Sequence, residues 1–154
     1  MKYFILFFIS LTLTFSASAV KEIHVDKQKC VLRVIDNDKI VFSAPVCVGK
    51  NKGQKKRAGD HKTPEGTFKI TSIENSSGWD HDFRDGKGKI KGAYGPWFFR
   101  LNTPQSKHIG IHGTCFPNSV GTRSSDGCVR LRNSDLKNLK KHVKVGMKVI
   151  IHKD

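Results

Sequence analysis

Two residues of this chain are suited to covalent chemistry, and each sits against a glycine. His112 precedes Gly113, and Cys128 follows Gly127 in the run Ser125-Asp126-Gly127-Cys128-Val129-Arg130-Leu131. A cysteine is a strong nucleophile as its thiolate, and a neighbouring imidazole is the usual means of reaching that state. Glycine before the sulfur lets backbone approach whatever is bound there. The pair predicts nucleophilic catalysis in which His112 draws the thiol below its free pKa of about 8.5. That requires the loop between them to bring Cys128 back to His112.

The same residue types allow two other readings. His108, His112, Cys115 and Cys128 are four zinc-competent side chains. On one strand, however, residues 108 and 112 stand about 13 Å apart, too far to share an ion without a bend. The four cysteines, Cys30, Cys47, Cys115 and Cys128, could also form two disulfides in an oxidising compartment. A working Cys128 would have to stay reduced. Cys30 and Cys47 then remain a possible pair across a hairpin, with Cys115 free or an oxidised partner of Cys128.

The elements that must position these groups are mostly strands. His108-Ile109-Gly110-Ile111-His112 alternates with a period of two, a strand signal ending at Gly113. Residues 22 to 26 and 30 to 35 have strand composition, and Asp36-Asn37-Asp38 is a turn cluster. Ile40 to Val48 returns as the second arm, with Pro45 arguing for an edge. Residues 49 to 62 form a polar, basic loop whose lysines and Arg57 are expected to be a solvated face. Thr63-Pro64-Glu65-Gly66-Thr67 is turn chemistry feeding a strand at Phe68 to Thr71. Residues 74 to 95 are a long polar stretch of the kind that is functional or mobile. Pro96 to Leu101 returns to strand-like composition, and its aromatics are expected in the core. One short helix follows, with Ser134 as N-cap and Leu136, Leu139 and Val143 on one face; Met147 to Ile151 closes the chain as a strand. The fold class is mainly β, a sandwich or barrel-like domain with one short C-terminal helix.

The N-terminus has the form of an export signal. Met1-Lys2 is a basic start, Tyr3 to Phe15 is largely apolar, and Ala17-Ser18-Ala19 is a small-residue cleavage site. The apolar run is short for a membrane span, and no lipid-anchoring cysteine follows it. Residues 1–19 are therefore expected to be a cleaved leader and residues 20–154 one exported domain, in the periplasm or cell envelope and without a stable membrane anchor. The whole chain carries +15; removing the leader removes one charged residue, Lys2, and leaves +14. A balance of this sign favours anionic polymers, and outside the cytoplasm that means wall polymers rather than nucleic acid.

Taken together, His112-Gly113-Thr114, Ser125-Asp126-Gly127-Cys128-Val129-Arg130 and Thr63-Pro64-Glu65-Gly66-Thr67-Phe68 resemble the L,D-transpeptidase catalytic domain (YkuD-like) family. The matches run in order from about residue 45 to the C-terminus. The resemblance implies acyl transfer on peptidoglycan stem peptides, with Cys128 as nucleophile and His112 as base. It implies an oxyanion hole at the Gly127 and Cys128 N–H groups and substrate contacts at Gly113, Thr114 and Ser125; Arg130 is expected either to hold a substrate carboxylate or to brace the loop internally. It implies no cofactor, no metal, a monomer, and hydrolysis to a carboxypeptidase product as a possible second activity. The family commonly has histidine where this chain has Asp126, and a carboxylate facing a thiolate would disfavour it. The competing reading is a non-catalytic, disulfide-bonded wall-binding module.

Overall fold

The computed structural model describes residues 21–83, 85–86 and 88–154; the proposed leader, residues 1–19, lies outside them. In chain order the strands are β1 (Glu22–Asp26), β2 (Val31–Asp36), β3 (Lys39–Pro45), β4 (Val48–Gly49), β5 (Gly66–Asn75) and β6 (Asp80–Asp82). They continue as β7 (Lys89–Lys91), β8 (Trp97–Leu101), β9 (Gly110–His112), β10 (Arg123–Ser125), β11 (Val129–Arg130) and β12 (Lys148–Ile151), with the helix α1 (Asn133–Lys140) between β11 and β12. Eight strands form one sheet in the order β11-β9-β8-β5-β12-β1-β2-β3. The expected β-rich, barrel-like class with one short helix is what the chain adopts, as a curled half-barrel.

Strand alternation builds this sheet. In β1 and β2 the residues Ile23, Val25, Leu32 and Val34 are buried, and their neighbours are half-buried. Asn37 and Asp38 both adopt positive φ, +49° and +62°, the geometry of a tight hairpin whose twist matches its strands. Pro45 lies on β3, an edge strand, as its missing N–H requires. The curl brings that edge round to the other. Beyond Pro45, Cys47 and Arg130 exchange both backbone hydrogen bonds, 2.8 and 2.9 Å, tying the end of β3 to β11. The nucleophile candidate Cys128 therefore sits two residues before Arg130, at the seam that closes the half-barrel.

The helix differs from its expected start. Ser134 lies inside α1; Arg132 is the N-cap residue and makes no side-chain capping bond. Asn133, the first helical residue, turns its Oδ1 away to accept the N–H of Thr114 at 3.0 Å. Long-range demand thus overrides the local cap preference. Leu136 and Leu139 are fully buried, each contributing about 1.5–3 kcal/mol by removal from water. Among the described residues no helix is long and apolar enough to cross a membrane.

One ion cluster holds the loop entering β5 to the end of the chain. Lys27 is fully buried, with Nζ 2.7 Å from Glu65 Oε1 and 3.0 Å from Asp154 Oδ2. Arg123, on β10, grips Asp154 with both terminal nitrogens at 2.9 and 3.0 Å. Against the cost of burial, these bonds hold both carboxyls below their ordinary range. Their stabilisation is present above the unfolded carboxylate pKa, about 4, and is lost as pH falls through the lowered folded values. Lys27→Met strands two carboxylates and is expected to cost about 3–5 kcal/mol in urea unfolding at pH 7. A loss below about 1 kcal/mol would show the cluster to be dispensable.

Candidate active site

His112 ends β9 in the interior of the sheet. All three β9 residues are buried, and the expected alternation over 108–112 shrinks to three residues with no exposed face. The physical reason is crowding on both flanks: β9 lies between β8 and β11, and a Cβ at Gly110 would come within 2.3 Å of the Phe98 ring. The imidazole stacks on Phe98, centroids 5.3 Å apart and planes 14° apart, with Tyr94 at 4.9 Å. Its Nδ1 lies 2.6 Å from the carbonyl oxygen of Gly113. A carbonyl only accepts, so the ring donates Nδ1–H to Gly113, and the Tyr94 carbonyl is a second acceptor beside it. Burial pushes the His112 pKa down to about 3, so the ring is neutral at pH 7.

Cys128 is half-buried and its Sγ donates to the carbonyl oxygen of His108 at 3.3 Å. Burial pushes the thiol up to about 11, with the Gly110 N–H, Arg130 and Lys55 acting in the opposite direction. The expectation that His112 draws this thiol below its free value is therefore not met at rest. The resting pair is neutral thiol and neutral imidazole. Such a pair reacts by proton transfer as the bond forms rather than from a standing thiolate.

Both residues line one cavity of about 240 Å³. One wall is aromatic: His81, Phe83 and Tyr94 come from the stretch 74 to 95, which folds back through the β6–β7 hairpin. Tyr94 Oη lies 2.9 Å from His81 Nδ1, and Phe83 packs edge-on to Phe116 at 5.0 Å. The facing wall comes from the basic stretch 49 to 62, expected to be solvated. Lys55 is only 2% exposed and lines the cavity. Phe98 belongs to the core, as its composition suggested, yet it is also the ring on which His112 rests.

The model of the L,D-transpeptidase catalytic domain (YkuD) matches residues 20–151. The chain belongs to the L,D-transpeptidase catalytic domain family. It is 32% identical over 120 residues to the YkuD protein of Bacillus licheniformis, covering 78% of this chain and 58% of that one. Its fold is similar to L,D-transpeptidase 3 from Mycobacterium tuberculosis, solved in complex with a faropenem-derived adduct (TM-score 0.66, 16% identity, 88% of this chain and 61% of that one). It is also similar to the helical cell shape determining protein Pgp2 from Campylobacter jejuni (TM-score 0.64, 23% identity, 90% and 49%). The chain thus spans somewhat under three fifths of the length of the Bacillus relative.

Within this L,D-transpeptidase domain, the remaining sequence-derived site residues divide into braces and cavity walls. Ser125 is buried; its Oγ donates to the Cys128 carbonyl and accepts the Gly127 N–H at 3.1 Å. It braces the turn rather than presenting its hydroxyl to a ligand. The Gly127 N–H is thereby spent, which removes it as an oxyanion donor and leaves the N–H of Cys128. Gly127 has φ +135°, and a Cβ there would lie 2.7 Å from the Lys62 carbonyl oxygen, so no other residue fits without moving backbone. Gly113 is crowded in the same way by Asn133 Oδ1 and Gly95, and buried Thr114 is fixed through its N–H to Asn133. Arg130 lines the cavity, but its Nη2 donates to Cys47 Sγ at 3.0 Å and Ser124 Oγ at 3.1 Å, while its buried Nε has no partner among the described residues.

Asp126, the departure from the family pattern, lines the same cavity as Cys128, and its charge adds to the burial that raises the thiol. It meets His61 Nδ1 at 2.8 Å and Lys50 Nζ at 3.3 Å, and these cations and its 56% exposure moderate its charge at the thiol. All four cysteines are free thiols, so neither the Cys30–Cys47 bridge nor a Cys115–Cys128 pair is formed. Among the described residues, the side chains weighed as zinc ligands are not brought together. Sequence reasoning missed Asn133, Lys55 and Tyr94. Only Tyr94 had a signal, as an aromatic in a long polar stretch.

Proposed function

We propose that this domain carries out cysteine-dependent acyl transfer on peptidoglycan stem peptides. The observation that carries the reading is a half-buried thiol and a buried, neutral imidazole lining one cavity, in a member of this family. Cys128 Sγ attacks the carbonyl of the third stem residue while His112 takes the thiol proton. The S–C bond forms and the N–H of Cys128 stabilises the oxyanion. Collapse breaks the C–N bond, and His112 returns the proton to the departing D-alanine amine. An amine of a second stem then attacks the thioester, giving a cross-link and restoring the thiol. Water in its place gives carboxypeptidase activity.

The faropenem-derived adduct on a solved relative supports acylation as the first step, and the cell-shape role of Pgp2 supports a wall substrate. The proposed leader, residues 1–19, would deliver the domain to that substrate as a monomer in the periplasm or envelope. Incubating the protein with purified stem tetrapeptides should release D-alanine and give dimers or tripeptides by mass spectrometry. Unchanged peptides would remove the reading. The free state of all four cysteines gives no support to a two-disulfide wall-binding module.

Attraction to the wall is a separate expectation. A domain of this charge should be retained by isolated sacculi at about 50 mM salt and released near 500 mM, because its field is screened within a few ångströms there. Retention indifferent to salt would assign binding to specific contacts instead.

A further inference from the structure

Lys55 is a buried cation at the nucleophile that the acyl-transfer scheme leaves without a task. Its Nζ donates to Asp60 Oδ1 at 2.7 Å. Asp60 in turn accepts the N–H groups of Lys56 at 2.7 Å, Arg57 at 3.1 Å and Lys62 at 3.1 Å. Against its own burial, these four donors hold the Asp60 carboxyl well below the usual carboxylate range. The acid is therefore a fixed anchor for the ammonium. An ammonium has three N–H donors, and among the described residues Asp60 is the one hydrogen-bond partner of Nζ. Two donors remain, at a side chain 2% exposed on the wall of the Cys128 cavity. Those two donors are available to an anion in the cavity, where a charge-assisted hydrogen bond is stronger than in bulk water.

Place decides what the anion is. Nζ lies 3.4 Å from where a Cβ on Gly127 would stand, so Lys55 abuts the residue next to the nucleophile. In a stem tetrapeptide the terminal carboxylate belongs to the residue immediately after the attacked carbonyl, one residue step or about 3.8 Å along the chain. Arg130, the other cation at the cavity, has turned Nη2 to Cys47 and Ser124. We infer that Lys55, anchored by Asp60, binds the terminal carboxylate of the acyl donor. This rests on Cys128 being the nucleophile, and it makes the domain selective for donors with a free C-terminus over amidated ones.

The test compares two small alkylating probes at Cys128, iodoacetate and neutral iodoacetamide, by intact-protein mass spectrometry with peptide mapping. Any effect of Lys55 on the sulfur itself slows both probes alike and cancels in their ratio. Lys55→Met should lower the iodoacetate-to-iodoacetamide rate ratio at least tenfold, and Lys55→Arg should restore most of it. The double variant Lys55→Met/Asp60→Asn removes both charges together and should show the same low ratio, which covers a fold weakened by an unpaired Asp60. With peptides, Lys55→Met should lower the preference in kcat/KM for a free-acid tetrapeptide over its C-terminal amide about tenfold. An unchanged ratio in the folded variants overturns the assignment. Stem peptides untouched by the wild-type protein would instead overturn the proposed function, since the probe ratio is read without them.

Discussion

Cys128→Ala is expected to reduce acylation and turnover to background while leaving the melting transition within a few degrees of wild type. The thiol is half-buried, and its hydrogen bond to the His108 carbonyl is exposed, so removing it opens no large cavity. No other cysteine can substitute. Cys30 and Cys47 are buried in the core, the latter with its sulfur held by Arg130 and Ser124, and Cys115 does not line the cavity that holds His112. A β-lactam of the carbapenem type, whose strained carbonyl reports the same attack as a stem peptide, should add one equivalent to the wild-type protein, mapped to Cys128. The alanine variant should add none. An adduct on Cys30, Cys47 or Cys115 would displace Cys128 from the mechanism and with it the cavity as the reaction site.

How much of this was legible beforehand follows from how local each feature is. The strands of β1, β2 and β8 and the turn at Asn37-Asp38 are written in alternation and turn chemistry, and they formed where expected. Cys128 and His112 were visible because each stands beside a glycine with a structural requirement, and the structure places both on one cavity. The rest depends on partners distant in sequence. Ser134 is the better N-cap by type, but Asn133 is recruited by Thr114, nineteen residues earlier in the chain. The lysines of residues 49 to 62 look solvated because nothing local says that Asp60 folds the loop around Lys55. Ser125 and Gly127 look like ligands to substrate until the turn is closed, when their polar groups are consumed by each other. The electrostatic expectation failed for a related reason. A histidine beside a cysteine suggests an ion pair, but burial acts against both charged forms.

That last point gives His112 a distinctive pH signature. With the imidazole pKa near 3, wild-type acylation should stay level from pH 8 down to pH 5, because the neutral base persists throughout. A solvated imidazole, titrating at about 6.5, would halve the rate there. His112→Gln retains a polar side chain of similar reach and removes the base. Without it the only nucleophile is the thiolate present at equilibrium, about one part in 10⁴ at pH 7 for a thiol near 11. Acylation at pH 7 should fall by roughly 10²–10⁴, the usual worth of a positioned base. The residual rate should then climb about tenfold per pH unit, tracking thiolate alone. The sign is decisive: the variant gains with rising pH where the wild type is flat. A wild-type profile breaking at about 6.5 would mean that the imidazole titrates as if solvated, and the neutral-pair mechanism would fall. A variant as flat and fast as the wild type would leave Cys128 reacting without His112, and the base would have to be sought elsewhere on the cavity wall.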